Sequence, residues 1–470
     1  MDVGRPGLVP GDRLLDTIAA IATAPGVGAI GVIRVSGPLA LSIAQAILRS
    51  GKSGPDLSRR GLHVGWVVDP DTGERIDQAV LLVFPGPTSF TGEDVVEIQG
   101  HGGPAIMRRL LALVLGQGAR LASPGEFTRR AFLSGRIDLV QAEAIGELVS
   151  ARGERALQAA IGQLEGRLSH EVMQVRQALF ESVARIEAAV DFPEDVAALE
   201  PEEIMGALAR QRIRIDELLA GARAGEVARS GARVAIVGQP NVGKSSLMNA
   251  LLRSERAIVT AVPGTTRDVL EADLEIAGIP IRLVDTAGIR PARDEIEKEG
   301  VARSWQQVEG ADLVLLVHDS RSGLDATDHD LAARAGDRPV LRVASKVDLL
   351  RSASADPSEV GDAPWPAGHL GVSSLTRQGL DELEAAIAGA LLSSSPVGVP
   401  GLAVNARHQG ALRQARAHLT SAIETLDREM PLDLLSGDLR TAIRALGQIT
   451  GLDPAEELLD LLFSRFCLGK

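Results

Sequence analysis

Apolar runs divide the first part of the chain into predicted strands and one helix. The runs at residues 28–35, 79–84 and 95–98 predict three strands. The apolar spacing of residues 106–115 predicts a helix directly after the third strand. Strands packed with a helix on one side are typical of a small α+β domain. We therefore predict such a domain over residues 1–133.

After residue 133 the pattern becomes helical. From residue 139 to about 229 apolar positions recur every three or four residues, and only Pro193 and Pro201 interrupt them. The helical pattern returns at residue 402, after a linker rich in Ser, Pro and Gly. Because a domain whose ends lie close together tolerates an insertion, we predict an α/β and α+β multidomain chain. In it, one helical domain (134–230 and 392–470) is interrupted by an α/β domain (231–391).

Composition narrows the class of protein. The chain has 470 residues, 45% of them hydrophobic, which suits about two to four domains. No apolar run is long enough for a membrane span, so no membrane association is expected. The single cysteine, Cys467, favours the reducing cytoplasm. A net charge of −13 and the absence of tyrosine argue against a bare nucleic-acid binder, so RNA contact is expected to be local or through a partner.

The most specific motif is the G-x-x-x-x-G-K-S segment at residues 238–245, which follows an apolar run at 234–237. A strand, a glycine-rich loop and a helix in this order form a P-loop, whose backbone N–H groups point at phosphate oxygens. Lys244 is expected to reach the β- and γ-phosphates, and the Ser245 hydroxyl to bind Mg²⁺. The predicted nucleotide contacts here are Asn241, Val242, Gly243, Lys244, Ser245 and Ser246.

Four further motifs follow in the order expected of a GTPase. Asp285 opens a D-x-x-G motif that helps to hold Mg²⁺, and Thr266 lies in a loop that closes over the same ion. The S-K-V-D segment at 345–348 resembles the guanine-reading N-K-x-D motif, with serine in place of asparagine. Residues 372–375 resemble the loop behind the guanine. The further predicted GTP contacts are Thr260, Ala261, Val262, Pro263, Gly264, Thr265, Thr266, Asp285, Thr286, Ala287, Gly288, Ser345, Lys346, Val347, Asp348, Ser373, Ser374 and Leu375.

The position after D-x-x-G is Ile289, where Ras-like enzymes have a glutamine that orients the attacking water. Hydrolysis must therefore take polar groups from elsewhere. Asn241 and the segment 260–265 are candidates to cage a monovalent cation against the phosphates. The acidic run 294–297 is a candidate to reach the water, and a solvated helix start explains its charges equally well.

Two charged residues occupy predicted strands of the first domain. Arg34 lies in an apolar run, and Glu97 lies in another. Ordinary alternation on a solvated face explains both, and so does a polar ligand gripped by the two charges. His101, within G-H-G-G, is interpreted as part of a tight turn.

Beyond the nucleotide motifs, the chain resembles the MnmE (TrmE) family of tRNA-modification GTPases over almost its whole length. The resemblance rests on D-T-I-A-A at 16–20, V-I-R-V-S-G at 32–37, S-F-T-G-E-D at 89–94, G-H-G-G-P at 100–104, P-G-E-F-T-R-R-A-F-L at 124–133, D-L-V-Q-A-E-A at 138–144, G-T-T-R-D at 264–268 and F-C-L-G-K at 466–470. The G-E-F-T run and the terminal C-L-G-K together distinguish this family from other GTPases.

The resemblance implies an architecture and a reaction. By this resemblance, residues 1–133 form a tetrahydrofolate-binding and dimerisation domain. Residues 231–391 form a Ras-like P-loop GTPase domain, and the second helical part ends in the C-L-G-K motif. It also implies a homodimer that works with an FAD-containing, MnmG-like partner, which would make most of the contact with tRNA. The implied reaction adds a carboxymethylaminomethyl or aminomethyl group to carbon 5 of the wobble uridine, with 5-formyl- or methylene-tetrahydrofolate as the one-carbon donor.

The resemblance also implies roles for particular residues. The implied folate contacts are Arg34, Glu97, Arg136 and Lys470. The implied K⁺ ligands are Asn241, Thr260, Val262 and Thr265, and the Mg²⁺ ligands are Ser245 and Thr266. Glu297 matches the carboxylate that orients water, and Cys467 matches a cysteine that the family requires, in either a catalytic or a structural role.

Two other functions remain open at this stage. A ribosome-assembly GTPase of the Era or Der kind would carry a basic RNA-binding appendage, and the sequence shows none. A folate-sensing switch without meaningful turnover is compatible with Ile289, whereas Glu297 and the loop of Asn241 argue against it.

Overall fold

The structure is a computed structural model that describes residues 16–50, 56–151, 153–191, 200–221, 225–227, 231–253, 270–285, 310–336, 338–351, 368–392, 403–428, 432–452, 454, 456–467 and 469. The chain divides into two compact units. The first contains residues 1–146 and 444–470, and the second contains residues 147–443. The first unit therefore joins two segments that are far apart in the sequence.

The strands and helices of the described residues have the following bounds. The strands are β1 (Ile18–Ile21), β2 (Ile30–Ser36), β3 (Leu48–Arg49), β4 (Gly61–Val68), β5 (Arg75–Phe84), β6 (Val95–His101), β7 (Arg120–Leu121), β8 (Ala232–Val237), β9 (Leu270–Ile276), β10 (Ile279–Asp285), β11 (Leu313–Asp319), β12 (Val340–Ser345) and β13 (His369–Val372). The helices are α1 (Ala40–Ile47), α2 (Pro104–Gly116), α3 (Glu126–Leu133), α4 (Leu139–Ser150), α5 (Glu154–Leu164), α6 (Arg167–Asp191), α7 (Pro201–Ala220), α8 (Lys244–Leu252), α9 (Ala326–Arg334), α10 (Asp348–Arg351), α11 (Leu380–Leu392), α12 (Ala406–Asp427), α13 (Leu432–Thr450) and α14 (Glu456–Phe463).

The first unit is built on a sheet with the strand order β3-β4-β5-β6-β2-β1-β7. Helices α1 and α2 cover one face, where Ile33, Leu81 and Ile98 join a buried cluster with Ile43 and Leu110. Since neighbouring residues of a strand point to opposite faces, Arg34 and Glu97 lie on the other face, which we call the open face. The predicted α+β character of this part is confirmed.

The open face has an apolar side and a covered side. On β4, the side chains of Leu62 (61%), Val64 (51%) and Trp66 (39%) are exposed. At β1 the same face is covered, because Ile18 and Ala20 pack with Phe127 of α3. The charged pair of β2 and β6 therefore lies between an exposed apolar edge and a buried aromatic residue.

A second cluster of the first unit joins distant segments. Phe132 of α3 and the first turn of α4 at Leu139 pack with Leu459 and Phe463 of α14. These residues are almost fully buried, so α14 completes a core that α3 and α4 begin.

The second unit contains a sheet with the order β13-β12-β11-β8-β10-β9, in which only β9 runs antiparallel to its neighbour. β8 lies inside the sheet, between β10 on one side and β11 on the other. In open α/β sheets a ligand binds beyond the carboxyl ends of the strands, where the strand order reverses. In this sheet that point is the carboxyl end of β8.

Helices that precede and follow this sheet in the sequence pack together. α7 packs against α12, Arg416 pairs with Asp216 at 3.2 Å, and the buried Gln163 donates to the carbonyl oxygen of Ala403 at 2.6 Å. These contacts confirm the predicted helical domain interrupted by an insertion. None of the described helices is long and apolar enough to cross a membrane.

The prediction that only Pro193 and Pro201 interrupt the first helical stretch is wrong. The chain also breaks at Gly153, which precedes α5 in extended conformation. It breaks again at Gly166, whose φ of +79° is left-handed and ends the helical run between α5 and α6. Left-handed backbone is accessible to glycine and costly for other residues, which explains why the chain can break at Gly166. The apolar residues keep a helical spacing across both glycines, so the spacing alone did not reveal these breaks.

Candidate functional site

The loop between β8 and α8 has the backbone of an anion-binding loop. Gly238 has a φ of +142°, and a Cβ there would lie 2.0 Å from the carbonyl oxygen of Val317, so only glycine fits. Asn241 (φ +64°) and Gly243 (φ +106°) are also left-handed. α8 begins directly afterwards at Lys244. Because a helix start presents unpaired N–H groups, the loop and α8 together form a cradle for phosphate.

Lys244 extends across this loop. Its side chain is buried, and Nζ donates to the carbonyl oxygens of Gly238 at 2.7 Å and Gln239 at 2.6 Å. Ser245 and Ser246 follow in the first turn of α8 and are exposed. The ammonium group and the Ser245 hydroxyl therefore belong to the same end of α8, where the sequence predicts contacts with phosphate and Mg²⁺.

Ser345 links the predicted guanine-reading segment to the P-loop. It ends β12 and is almost fully buried. Its Oγ lies 2.5 Å from the carbonyl oxygen of Val242 and 2.9 Å from that of His318. A hydroxyl has one proton to donate, whereas an asparagine amide has two. The serine therefore keeps the link to the P-loop with one donor fewer than the usual residue of this motif.

Lys346 makes a second link between these segments. Its Nζ donates to the carbonyl oxygen of Asn241 at 2.6 Å and to Oδ2 of Asp319 at 3.1 Å. Hydrogen bonds from Arg321, and then from Lys346, hold the pKa of Asp319 well below its ordinary value. Asp319 therefore stays ionised at neutral pH and keeps Lys346 beside the P-loop.

Asp348 and the loop after β13 are also in contact. Oδ1 of Asp348 accepts a hydrogen bond from Oγ of Ser373 at 2.6 Å. The backbone N of Val347 donates to the carbonyl oxygen of Val372 at 3.3 Å. Ser374 and Leu375 follow in the same loop. The structure thus brings together the P-loop at 238–245, the S-K-V-D segment at 345–348 and the S-S-L segment at 373–375, although about 100 residues separate the first two in sequence.

Asp285 is the last residue of β10 and lies in register beside Ile236 of β8, two residues before the P-loop. This places its backbone at the carboxyl edge of the sheet, next to the loop. The other predicted nucleotide, K⁺ and water-orienting residues lie outside the described residues: Thr260, Ala261, Val262, Pro263, Gly264, Thr265, Thr266, Thr286, Ala287, Gly288 and Glu297.

In the first unit, Arg34 and Glu97 lie directly opposite each other on β2 and β6. Nε and a terminal nitrogen of Arg34 donate to Oε1 of Glu97 at 2.9 and 2.8 Å. The guanidinium carbon lies 5.7 Å from the ring centre of Phe90 and 5.8 Å from that of Phe127. Both charged side chains are about four-fifths buried. They are therefore not two separate charges on a solvated face, but a pair held beside aromatic rings.

A buried arginine, which the sequence analysis did not single out, organises the surroundings of this pair. Arg130 is 2% exposed and donates to Oδ1 of Asp16 at 2.5 Å, Oε1 of Glu93 at 3.0 Å and Oε1 of Glu126 at 3.1 Å. Glu93 belongs to the loop that carries Phe90. The network therefore fixes that loop beside Arg34. The only sign of this network in the sequence is the spacing of four residues between Glu126 and Arg130 on α3, which allows them to pair.

The other predicted residues of this region are attached to α3. Arg136 follows α3 and is exposed, and its backbone N donates to the carbonyl oxygen of Ala131 at 2.9 Å. The carbonyl oxygen of the exposed Cys467 accepts from the backbone N of Gly125 at 3.5 Å. Lys470 lies outside the described residues. Because α3 also carries Phe127, it connects these residues to the Arg34–Glu97 pair.

His101 ends β6 and is anchored by a buried aspartate of β5. Asp77 accepts from the backbone N of His101 at 2.8 Å and lies 2.7 Å from its Nδ1. His101 is thus the last residue of a strand rather than part of a tight turn, and its contacts with Asp77 give it a structural role at the end of β6.

The mainly parallel sheet, the loop after its inner strand β8 and the adjoining S-K-V-D segment define a P-loop GTPase. Comparison with known proteins refines this class. A sequence model of the MnmE helical domain matches residues 139–467, and one described as the N-terminus of the GTP-binding protein TrmE matches residues 17–136.

Relatives named tRNA modification GTPase MnmE cover nearly the whole chain. The relative from Symbiobacterium thermophilum is 46% identical over 97% of this chain and 99% of its own length. The relative from Chloroflexus aurantiacus is 47% identical over 97% of this chain and 100% of its own. Among solved structures, Era from Aquifex aeolicus matches 40% of this chain and 66% of its own at 27% identity, with a TM-score of 0.25 that supports no further argument.

The chain belongs to the MnmE family of tRNA modification GTPases. It is accordingly a GTP hydrolase that acts in tRNA modification, and it binds GTP with Mg²⁺.

Proposed function

We propose that this chain is a potassium-activated GTPase that works with an FAD-containing, MnmG-like partner. Together they add a carboxymethylaminomethyl or aminomethyl group to carbon 5 of the wobble uridine of certain tRNAs, using a tetrahydrofolate derivative as one-carbon donor. The observation that supports the use of a folate is the Arg34–Glu97 ion pair beside the rings of Phe90 and Phe127. Nucleotide hydrolysis alone needs no such pair in a separate unit.

In the nucleotide site, each residue of the chain takes a role that fits its position. Lys244 and the N-terminus of α8 bind phosphate oxygens, and Asp348 accepts from the N1–H and amino group of guanine. Ser245 and Thr266 would hold Mg²⁺. Asn241, Thr260, Val262 and Thr265 would hold K⁺, which supplies positive charge beside the phosphates when bound. Glu297 takes the water-orienting role that Ile289 cannot fill.

The geometry around Glu97 suits a pterin ring. Arg34 donates both of its hydrogen bonds to Oε1, and among the described residues Oε2 of Glu97 has no hydrogen-bond partner. A carboxylate oxygen in this state accepts the amide and amino N–H groups of a pterin edge. Arg136 and Lys470 are suited to the carboxylates of the glutamate tail, and Cys467 belongs to the same region through α3.

The open face supports the proposed homodimer. Leu62, Val64 and Trp66 expose a row of apolar side chains on β4, and contiguous apolar surface of this kind marks interaction sites. The proposed domains are 1–133 for folate binding and dimerisation, 134–230 and 392–470 for the helical domain, and 231–391 for GTP hydrolysis. We place the protein in the cytoplasm, with tRNA contacted mainly through the partner.

Analysis of tRNA from cells that lack this chain tests the proposal. Digested tRNA is examined by mass spectrometry for the modified wobble uridine, which should disappear and return with the wild-type chain. Glu97→Ala and Lys244→Ala should both fail to restore it. Arg109→Ala, which breaks only an exposed ion pair with Glu74 in the first unit, should restore it. An unchanged nucleoside in the deletion strain would exclude the proposed reaction.

A further inference from the structure

The turn between β9 and β10 is fastened to the start of α5 in the second unit. The backbone N of Arg155 donates to the carbonyl oxygen of Gly278 at 3.2 Å. Its Nε donates to the carbonyl oxygen of Ala277 at 2.8 Å. One residue of the helical part therefore holds two successive carbonyl groups at the tip of the hairpin.

The two parts approach too closely for extra atoms between them. A Cβ on Gly153, directly before α5, would lie 2.9 Å from the carbonyl oxygen of Gly278 and 3.0 Å from Cδ of Pro280. Gly278 itself is left-handed, with φ of +80°. On the other side of the turn, a Cβ on Gly231 would lie 2.7 Å from the carbonyl oxygen of Pro280. The atoms next to the hairpin tip are thus mainly backbone atoms. Because backbone atoms move less easily than the ends of side chains, an added Cβ would force the two parts apart.

The opposite end of the same hairpin contains one predicted Mg²⁺ ligand, Asp285, and follows another, Thr266, closely in the sequence. β9 begins at Leu270, four residues after Thr266 in the sequence, and β10 ends at Asp285. Leu270 and Asp285 lie opposite each other in register, and seven residue pairs join the strands from there to the turn. Seven residues of strand span roughly 23 Å. The hairpin is therefore a paired ribbon with Asp285 at one end and the contact with Arg155 at the other.

The ribbon is also held along its length. Leu274, Ile276, Ile281 and Leu283 are buried in the core of the nucleotide-binding sheet, and β10 pairs with β8. A close-packed element moves as one piece rather than bending freely. The hairpin and β8 therefore form one stiff body, and a displacement of this body at Asp285 is carried to the turn at Gly278.

We propose that the β9–β10 hairpin transmits the nucleotide state of the GTPase domain to the helical domain through Arg155 and Gly153. The proposal rests on the Mg²⁺ role proposed above for Thr266 and on the one expected from the D-x-x-G motif for Asp285. GTP and GDP favour different positions of the hairpin relative to α5. In one of these positions the hydrogen bonds between Arg155 and the turn are stronger, so the first turn of α5 is more stable in that nucleotide state. The helical domain thereby reports whether GTP has been hydrolysed.

Hydrogen exchange of the full chain, measured by mass spectrometry, tests this proposal with GDP and with a non-hydrolysable GTP analogue. In the wild type, amides of α5 should exchange at rates that differ by about fivefold between the two states, the equilibrium equivalent of one net hydrogen bond. In Arg155→Ala and in Gly153→Ala the ratio should fall towards one. Nucleotide affinities, titrated separately, should stay within about twofold of wild type.

Gly410→Ala is the matched control, because a Cβ at this exposed helical position meets nothing within 4 Å. It should keep the wild-type exchange ratio. Equal exchange of α5 in both states of the wild type would overturn the proposal, and so would a full ratio in both Arg155→Ala and Gly153→Ala. Neither measurement depends on folate or tRNA, so a failure of the proposed tRNA reaction would be seen separately.

Discussion

At the scale of single residues, Ser345 is the informative departure from the expected motif. The sequence shows serine where guanine-reading motifs have asparagine, and the structure shows what the hydroxyl does. It lies between two carbonyl oxygens, one in the P-loop and one in β11, and donates to one at a time. The link that holds the guanine-reading segment to the phosphate loop is therefore present but weaker than with an amide.

Substitution of Ser345 should change nucleotide affinity in both directions. Ser345→Ala removes the last donor and should weaken GTP binding by about fivefold, since one net hydrogen bond contributes about 1 kcal/mol. Ser345→Asn supplies a second N–H and should strengthen binding by a similar factor. Titration with a fluorescent GTP analogue measures both. If Ser345→Ala binds as tightly as wild type, the hydroxyl does not support the loop.

Asp348 should determine which base is accepted. In Asp348→Asn the replaced oxygen no longer accepts from the guanine amino group, so GTP affinity should fall roughly 10- to 150-fold, the equivalent of about 1.5–3 kcal/mol for a hydrogen bond to a charged group. Affinity for xanthosine triphosphate, which presents an oxygen there, should rise. Asp381→Asn, at the exposed start of α11, serves as control. Unchanged GTP affinity in Asp348→Asn would refute the assignment.

At the scale of elements, the sequence predicted β2 and β6 but not their pairing. Their apolar runs are plain, yet the register that puts Arg34 opposite Glu97 joins residues 63 positions apart. The sequence alone left two explanations for these charges open, because alternation along one strand carries no information about the neighbouring strand. For the same reason Arg130 went unrecognised. Its partners come from three separate segments, and only the fold brings them together.

Loss of either member of this pair should weaken folate binding and leave GTP turnover largely intact. Arg34→Ala and Glu97→Ala each remove a charge from the open face, at a cost of about 1.5–3 kcal/mol, or roughly 10- to 150-fold in affinity. Calorimetry with 5-formyl-tetrahydrofolate measures this, with Arg109→Ala as the control for an ion pair elsewhere in the unit. Wild-type folate affinity in both variants would mean that the pair is purely structural.

At the scale of the whole molecule, the predicted order of parts is observed: a mixed sheet, helices, an inserted α/β sheet and helices again. Several strands were not predicted. β3 and β7 have two residues each and exist only because a neighbour pairs with them. In β4 the apolar residues Leu62, Val64 and Trp66 alternate with His63 and Gly65 but lie on the exposed face, the reverse of the usual pattern. The contact of α14 with α3 and α4 also has no local signal, because some 320 residues separate the partners.

Hydrolysis by the whole molecule should depend on K⁺. Since Ile289 removes the usual glutamine, turnover should be fast in KCl and slow in NaCl, with a ratio of up to roughly 10³–10⁵ if the ion replaces an arginine finger. Turnover should also rise when GTPase domains of two copies associate. Asn241→Gly should erase the K⁺ dependence. Glycine is the cleaner replacement because Asn241 is left-handed, a conformation that alanine resists.

Glu297→Ala tests the same mechanism independently. It should abolish turnover and leave nucleotide binding nearly unchanged, because a residue that orients water contributes in the transition state rather than to ground-state affinity. Phosphate release and nucleotide titration, both in KCl, separate the two effects. Wild-type turnover in Glu297→Ala would disprove this mechanism despite the family membership.

The packing of α14 against α3 and α4 has a consequence for the synthesis of the protein. Phe132 and Leu139 leave the ribosome early, whereas Leu459 and Phe463, which cover them, follow roughly 320 residues later. At about 5–20 residues per second that delay is about 16–64 s. During that time Phe132 and Leu139 lack the residues of α14 that cover them. A chain released before residue 456 keeps both residues uncovered, which makes unfinished copies recognisable to chaperones and proteases.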